Sequence, residues 1–487
     1  MNEAIRNLEP KAVWNKFADL NAVPRPSKKE ERVITFMKDF GENLGFETIE
    51  DAVGNVIIRK PATKGMEDRT PIVMQSHLDM VHQKNNNTDF DFDTQGIEMH
   101  VDGDWVRAKG TTLGADNGLG VATIMAILES TDIPHPALEA LFTIDEETGM
   151  TGAMGLKGGI LKGDILLNLD TEEDDEIGVG CAGGVDVTAT KHYKHEEAPE
   201  ESTTYMLTVR GLQGGHSGMD IIKGLGNANT MMNRVLYACE DVLHIAELKG
   251  GSLRNAIPRE SVATIVIENL NYNAFQSEFE RIAAAIKEEY SLLEKNLEIV
   301  FEKSSTPANR VMVKTDQTLF IQSIYAAPNG VYRMSPAIED LVETSNNIAK
   351  ISIKDGSIKV ECLTRSSVNS SKLDLANTLE SVFTLGKFDV TFSGEYPGWA
   401  PNMDSPILKV LDGLYEKLHG EKAHVAACHA GLECGILGQN YPQMDMISFG
   451  PTIKGAHSPD ERASISSTQK FWDFVKEILK EIPKKED

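Results

Sequence analysis

Short apolar runs that end on a carboxylate or a histidine recur along this chain, and nothing else in it constrains the fold as much. PIVMQ leads into Ser76-His77-Leu78-Asp79, and ALFTI leads into Asp145-Glu146-Glu147. ILLNL leads into Asp170, and MISFG leads through a short loop into Ala456-His457-Ser458. In an open α/β sheet, ligands gather outside the carboxyl ends of the strands, so these junctions predict a single site. Together with Asp116, the side chains of His77, Glu146, Glu147, Asp170 and His457 are those that two zinc ions and a hydrolytic water require.

The elements around these junctions predict a split domain. Ser27-Lys28-Lys29-Glu30 reads as a capping box, followed by Val33, Phe36, Met37, Phe40 and Leu44 at helical spacing and by Gly45 as the stop. A hairpin is expected around Val53-Gly54-Asn55, and a buried helix from Gly118 to Leu128 behind Asp116. Strand, helix and strand then alternate to Asp170, the pattern of a mixed, mainly parallel sheet flanked by helices. After Gly183-Gly184 the texture changes, and the polar stretch Lys191 to Thr203 reads as a linker. Beyond it, strands and two helices suggest an α+β insertion. A weaker version of the same order from about Val311 to Phe392 predicts that the insertion has two similar halves. Near Tyr396-Pro397-Gly398-Trp399 the chain returns to the first domain, with a helix from Pro406, a strand from Met444 to Phe449 and a closing helix from Ser467 to Ile482. The expected divisions are 1–188 and 397–487 for the catalytic domain and 189–396 for the insertion.

Composition narrows the partners. A formal net charge of −26 argues against nucleic acid and anionic membrane, both of which need a basic surface. Five cysteines, an odd number with no Cys-x-x-Cys pair, suggest neither a disulfide framework nor a thiolate metal site. The amino terminus lacks an apolar signal core, and no apolar stretch reaches membrane-spanning length. The expectation is a soluble, cytoplasmic protein with reduced thiols.

Taken singly, each acidic or histidine motif has an ordinary explanation. Asp-Asn-Gly is usually a turn, and an acidic pair after a strand usually opens a helix. Their joint occurrence is harder to dismiss. His77 and Asp79, two apart at a strand end, share a face. Asp79 is therefore placed to accept the far ring N–H of His77 and fix its tautomer. Asp116, among Gly114, Ala115 and Gly118, is a carboxylate whose two oxygens can bridge metals about 3.5–4 Å apart. Glu146 and Glu147 are adjacent and point different ways, so Glu147 is read as a ligand and Glu146 as the general base.

The strings Gln75-Ser76-His77-Leu78-Asp79-Met80-Val81, Gly114-Ala115-Asp116-Asn117-Gly118, Thr143-Ile144-Asp145-Glu146-Glu147-Thr148-Gly149 and Gly455-Ala456-His457-Ser458-Pro459-Asp460-Glu461 resemble the co-catalytic zinc peptidase family of the aminoacylases, peptidase T and the carnosinases. Leu167 to Glu173, Gly214-Gly215-His216-Ser217-Gly218 and His429 to Gly435 resemble its aminoacyl-histidine dipeptidase branch. The resemblance spans essentially the whole chain, with no departure at a ligand position. It implies two zinc ions, with manganese or cobalt as substitutes. Asp116 would bridge them, His77 and Asp170 would complete one shell, and Glu147 and His457 the other. It further implies that Asp79 orients His77, that Glu146 is the base, and that the peptide bond after Asp116 is cis. The insertion would be a lid carrying His216 to polarise the scissile carbonyl. Asn255, Arg365 and Glu433 would bind substrate, Arg365 through a bidentate grip on a free carboxylate.

The expected function is hydrolysis of short unblocked peptides, preferably Xaa-His dipeptides, by a homodimer formed through the lid. Related substrates, N-acyl amino acids or tripeptides, are the nearest alternative. A metal-dependent peptide-binding protein without catalysis is the alternative from another class, and the intact Glu146 argues against it.

Overall fold

In the first of two compact units, four strands run parallel side by side and bring their carboxyl ends to one edge. The structure, a computed structural model, describes residues 2–485. Met1 and residues 486–487, at the outer ends of the expected catalytic segments, lie outside the described residues. The first unit comprises Met1–Gly180, Trp399–Ala427 and Leu432–Asp487, and the second Cys181–Gly398 with Cys428–Gly431. The chain crosses into the second unit at Cys181 rather than 189, and leaves it after Gly398 rather than 396.

The first unit holds a mixed sheet in the order Glu47–Glu50, Val56–Lys60, Leu138–Thr143, Ile72–His77, Ile165–Asn168, Asp445–Ser448, Glu176–Cys181, His424–Cys428. Ile72–His77 pairs in parallel with both Leu138–Thr143 and Ile165–Asn168, which puts His77 opposite Thr143 and Gln75 opposite Asn168. Asp445–Ser448 pairs in parallel with Ile165–Asn168. These interior strands are covered on both faces, which is why they read as unbroken apolar runs rather than alternating ones. The helix Ala115–Glu129 behind them is apolar all round and buried on every side. At the margin, Glu47–Glu50 and Val56–Lys60 form the expected hairpin. Asp51 Oδ1 accepts the N–H groups of Val53, Gly54 and Asn55 in its turn.

Local signals explain the carboxy-terminal elements. Ser405 caps Pro406–His419 with Pro at its start, and Gly420 ends it at φ 77°. Ser464 caps Ile465–Glu481 by accepting the Ser467 N–H. The capping box at residues 27–30 does not form. The helix there is Glu31–Asn43 without a side-chain cap. The Ser27 hydroxyl donates to Asp79 Oδ2 at 2.7 Å, a charge-assisted hydrogen bond between two buried side chains.

The second unit is built on an antiparallel sheet in the order Glu298–Lys303, Ser202–Arg210, Ser261–Glu268, His244–Gly250, Val342–Lys354, Ser357–Ser366, Gly183–His192, Asp389–Tyr396. The order reads the same from either end. Two strand–helix–strand–strand–helix–strand runs meet at His244–Gly250 and Val342–Lys354, with Ala228–Ala238 and Tyr272–Glu289 belonging to one and Lys314–Ala326 and Asn369–Leu385 to the other. The first strand of the second run is Gly183–His192, so the other run is inserted after it. Much of the stretch read as a linker is therefore strand: Gly183–His192 runs into its start, His195–Glu197 pairs with Arg310–Met312, and Ser202–Arg210 begins at its end. Lys191 is buried against the Phe388 ring and paired with Asp316 at 3.0 Å.

Candidate functional site

The parallel strands deliver their side chains to the same edge of the first unit. His77 closes its strand and is 1% exposed. Its Nδ1 faces the Asp79 carbonyl at 3.1 Å and Asp79 Oδ1 at 3.4 Å. Its Nε2 lies 3.2 Å from Asp116 Oδ1 and 3.5 Å from Asp170 Oδ1. The other oxygen of Asp116, Oδ2, lies 3.3 Å from His457 Nε2, and that nitrogen is 2.9 Å from Glu147 Oε2. Two groups of donors result, His77–Asp116–Asp170 and Asp116–Glu147–His457, each with its donor atoms within 4.8 Å of one another. They share Asp116, one oxygen in each.

Asp79 does more than face an imidazole. Its Oδ1 accepts the Glu146 N–H at 3.0 Å and its Oδ2 the Glu147 N–H at 3.3 Å. It thereby fixes the helical turn Glu146–Gly149 against His77. Asp145 before this turn has φ 55° and is held by Lys28 Nζ and the Thr148 and Thr151 hydroxyls. Asn117 donates to Asp170 Oδ1 and to the Leu169 carbonyl. The Asp116–Asn117 peptide bond is cis.

Charge is concentrated here. Burial pushes Glu146 well above the ordinary carboxyl range, Asp170 upward, and Glu172, to which the sequence reading gave no role, up to about 8. Hydrogen bonds to Asp116 and Glu147 push His457 up to about 11. Burial opposes ionisation of His77, yet the charges of Asp170 and Asp116 outweigh it and raise the imidazole. One oxygen of Glu147, Oε1, is buried without a hydrogen-bond partner. A nest of imidazole and carboxylate donors with an orphaned oxygen is the chemistry that divalent zinc, manganese or cobalt satisfies. The residues fit a pair of such ions.

Two buried residues with no part in the sequence reading brace this centre. Arg25 donates from Nη1 to the Leu78 and Asp79 carbonyls at 3.0 and 3.1 Å and from Nη2 to the Gly114 carbonyl at 2.5 Å. Glu461 accepts backbone N–H groups from the segment leading to Asp116. Arg25 carries no sequence signal beyond its place between prolines. Glu461 stands at the end of the His457 motif.

Glu433, expected to bind substrate, is fully buried. Its Oε2 accepts from Gln75 Nε2 and Thr143 Oγ1, both at 2.6 Å. These two bonds tie Oε2 to the strands and so brace the sheet, while Oε1 is buried without a hydrogen-bond partner. Burial pushes its carboxyl up to about 8.

The second unit carries His216, Asn255 and Arg365. The Nδ1 of His216 accepts the Gly218 and Met219 N–H groups at 3.2 and 3.0 Å, so the ring proton sits on Nε2. Burial, then the neighbouring charge of Arg365, lowers its pKa to about 4 and keeps it neutral. Asn255 is exposed and its carbonyl accepts the Ser217 N–H at 2.8 Å. Arg365 is 5% exposed, with Nη1 on Tyr396 Oη at 2.8 Å and Nε without a partner. His429, quoted in a motif but given no role, lies 2.8 Å from Ser345 Oγ. It is held down to about 3 by burial and by the charge of Arg365.

A parallel-stranded α/β unit whose strand ends pool histidines and carboxylates defines a metallohydrolase-like site. Residues 73–481 match Peptidase family M20/M25/M40, and the chain belongs to that family. It is 42% identical over 483 residues to the cytosol non-specific dipeptidase of Escherichia coli (strain K12), covering 99% of each chain. It is similar in structure to aminoacylhistidine dipeptidase from Vibrio alginolyticus, with a TM-score of 0.93, 44% identity and full coverage of both chains. The fold is also that of aminopeptidase PepT from Bacillus cereus, with a TM-score of 0.57, 16% identity and coverage of 98% and 99%.

Proposed function

We propose that this protein is a cytosolic metallo-dipeptidase that hydrolyses short unblocked peptides, Xaa-His dipeptides foremost. The observation that carries the reading is Asp116, whose two oxygens face two different histidines, each with a further carboxylate beside it. His77, Asp116 and Asp170 would hold one divalent cation and Asp116, Glu147 and His457 the other, zinc being the first candidate. Bound there, the pair would supply Lewis acidity, lowering the pKa of water and polarising the scissile carbonyl.

The chain's own residues do the rest. Glu146, on the turn fixed by Asp79, takes the proton of the attacking water and returns it to the departing amine. Its raised affinity for a proton suits both steps. Asp79 holds the His77 ring and the Glu146 backbone in one frame. The neutral His216 has its proton on Nε2, which suits donation to a developing oxyanion. Arg365 offers a guanidinium to the substrate's free carboxylate, with Asn255 as a further polar contact.

A broader dipeptide range is the second reading, because the Escherichia coli relative is named non-specific and the Vibrio relative aminoacylhistidine dipeptidase. Metal analysis and a panel of Xaa-His dipeptides, other dipeptides, tripeptides and N-acetyl amino acids on one preparation test both. Turnover confined to N-acetyl amino acids would contradict the proposal, and binding without cleavage would favour a non-catalytic protein. A homodimer through the second unit belongs to the same proposal. Exposed Val331, Tyr332 and Met334 along the strand Gly330–Met334 support it, and sedimentation of the native protein tests it.

A further inference from the structure

Glu461 is 2% exposed and its carboxylate bonds to one stretch of backbone. Its Oε2 accepts the N–H groups of Leu113 at 2.7 Å and Gly114 at 3.0 Å. Its Oε1 accepts those of Ala115 at 2.7 Å and Asp116 at 3.2 Å. Four consecutive amides from the loop before the site thus converge on one carboxylate placed some 345 residues later.

The bland reading is a helix cap, and the backbone argues against it. A capping side chain accepts N–H groups within the first turn of a regular helix. Here Asp116 (φ −79°, ψ 111°) and Asn117 (φ −103°, ψ 31°) are not helical, and regular geometry resumes only after them. The captured amides therefore belong to a loop with no hydrogen-bonded ladder of its own, and Gly114 within it has φ 69°. Left to itself, such a loop has no reason to keep one position. Arg25 grips the same loop at the Gly114 carbonyl and ties it to Leu78 and Asp79. Glu461 ties it to the segment that carries His457, where Glu461 N–H bonds to the Ser458 carbonyl at 3.0 Å.

We infer that Glu461 is a positioning residue: its carboxylate sets where Asp116 stands between His77 and His457, and so sets the affinity of the pair of cation sites. This rests on the metal reading given under Proposed function. A carboxylate suits the task because, when ionised, it offers four lone-pair positions to the four N–H groups. Glutamine of the same size would turn an NH2 group toward two N–H donors.

The test uses the full chain stripped of metal and titrated with Co2+, read by calorimetry and by the Co2+ ligand-field absorption. Wild type, Glu461→Gln and Glu461→Ala are compared, with far-ultraviolet circular dichroism on each metal-free protein. Both variants are expected to keep the native circular dichroism, to bind Co2+ about 10–100-fold more weakly, and to show altered ligand-field bands. Turnover of an Xaa-His dipeptide should fall through kcat, with KM near the wild-type value. Wild-type affinity and spectrum in Glu461→Gln would overturn the inference. So would loss of native circular dichroism in both variants, which would assign Glu461 to the fold alone. A wild-type protein that takes up no Co2+ would overturn the metal reading itself, and the inference with it.

Discussion

At the residue scale, the protons held at this site decide its chemistry. His457 is pushed up to about 11, so its imidazole is protonated at neutral pH without metal, and His77 is raised well above the ordinary imidazole range. Glu146 is raised as well. A cation needs the lone pairs that these protons occupy, so binding must expel protons and affinity must fall as pH falls. Calorimetric titrations with Zn2+ in two buffers of different ionisation enthalpy should report net proton release, and a buffer-independent enthalpy would contradict this. His216, lowered to about 4, remains neutral down to mildly acidic pH and should not generate the acidic limb of a pH–rate profile. Titration of its ring by NMR checks the value. Glu146→Gln should retain metal while kcat falls about 10²–10⁴-fold, the ordinary worth of a general base. Asp79→Ala should weaken metal binding as well, because one carboxylate holds both His77 and the Glu146–Glu147 turn. The six side chains gathered here, His77, Asp116, Glu146, Glu147, Asp170 and His457, were each picked out in the sequence, since each follows an apolar strand or a small-residue loop. Arg25 was not, because its role is set by carbonyls from two separate parts of the chain.

At the scale of elements, the four parallel strands are stitched together just below the site by side chains as well as by backbone. Glu433 at the start of Glu433–Asn440 accepts from Gln75 and Thr143, Asn168 donates to Gln75 at 2.5 Å, and Ser448 donates to Asn168 at 2.5 Å. Each strand contributes one member. The sequence reading found the strands from their apolar runs but not this set of side-chain bonds, since nothing local distinguishes a buried acid from an exposed one. Its carboxyl, pushed up to about 8 from 4.5, keeps its proton in the fold while the unfolded chain ionises near 4.5. The metal-free protein should therefore lose stability as pH rises from about 4.5 to about 8, at most about 1.4 kcal/mol per pH unit. Glu433→Gln should lack that part of the slope. Denaturant unfolding of both proteins across this range checks it, and parallel pH profiles would assign the slope elsewhere.

At the scale of the whole molecule, the catalytic unit was legible because its sheet announces itself in apolar runs, whereas the second unit was only partly so. Its repeat is hidden by its threading. One run is inserted behind the first strand of the other, so the two do not follow each other as intact copies. The boundary strand Gly183–His192 alternates buried and partly buried positions over most of its length, as an antiparallel strand with one wetter face does. Its last two residues and the charged residues after it, from Lys191 onward, are what passed for a linker. Since the five donors all belong to the first unit, metal should stabilise that unit through linkage. In scanning calorimetry, a chelator is expected to lower the melting transition of the first unit. An unchanged thermogram would show that no cation is held there.

The account turns on a carboxylate shared between two ions, and anomalous diffraction from a zinc-soaked crystal tests it most directly. It predicts two peaks, one beside His77 and Asp170 and one beside Glu147 and His457, with Asp116 between them. A single peak, or two that leave Asp116 without contact, would contradict it.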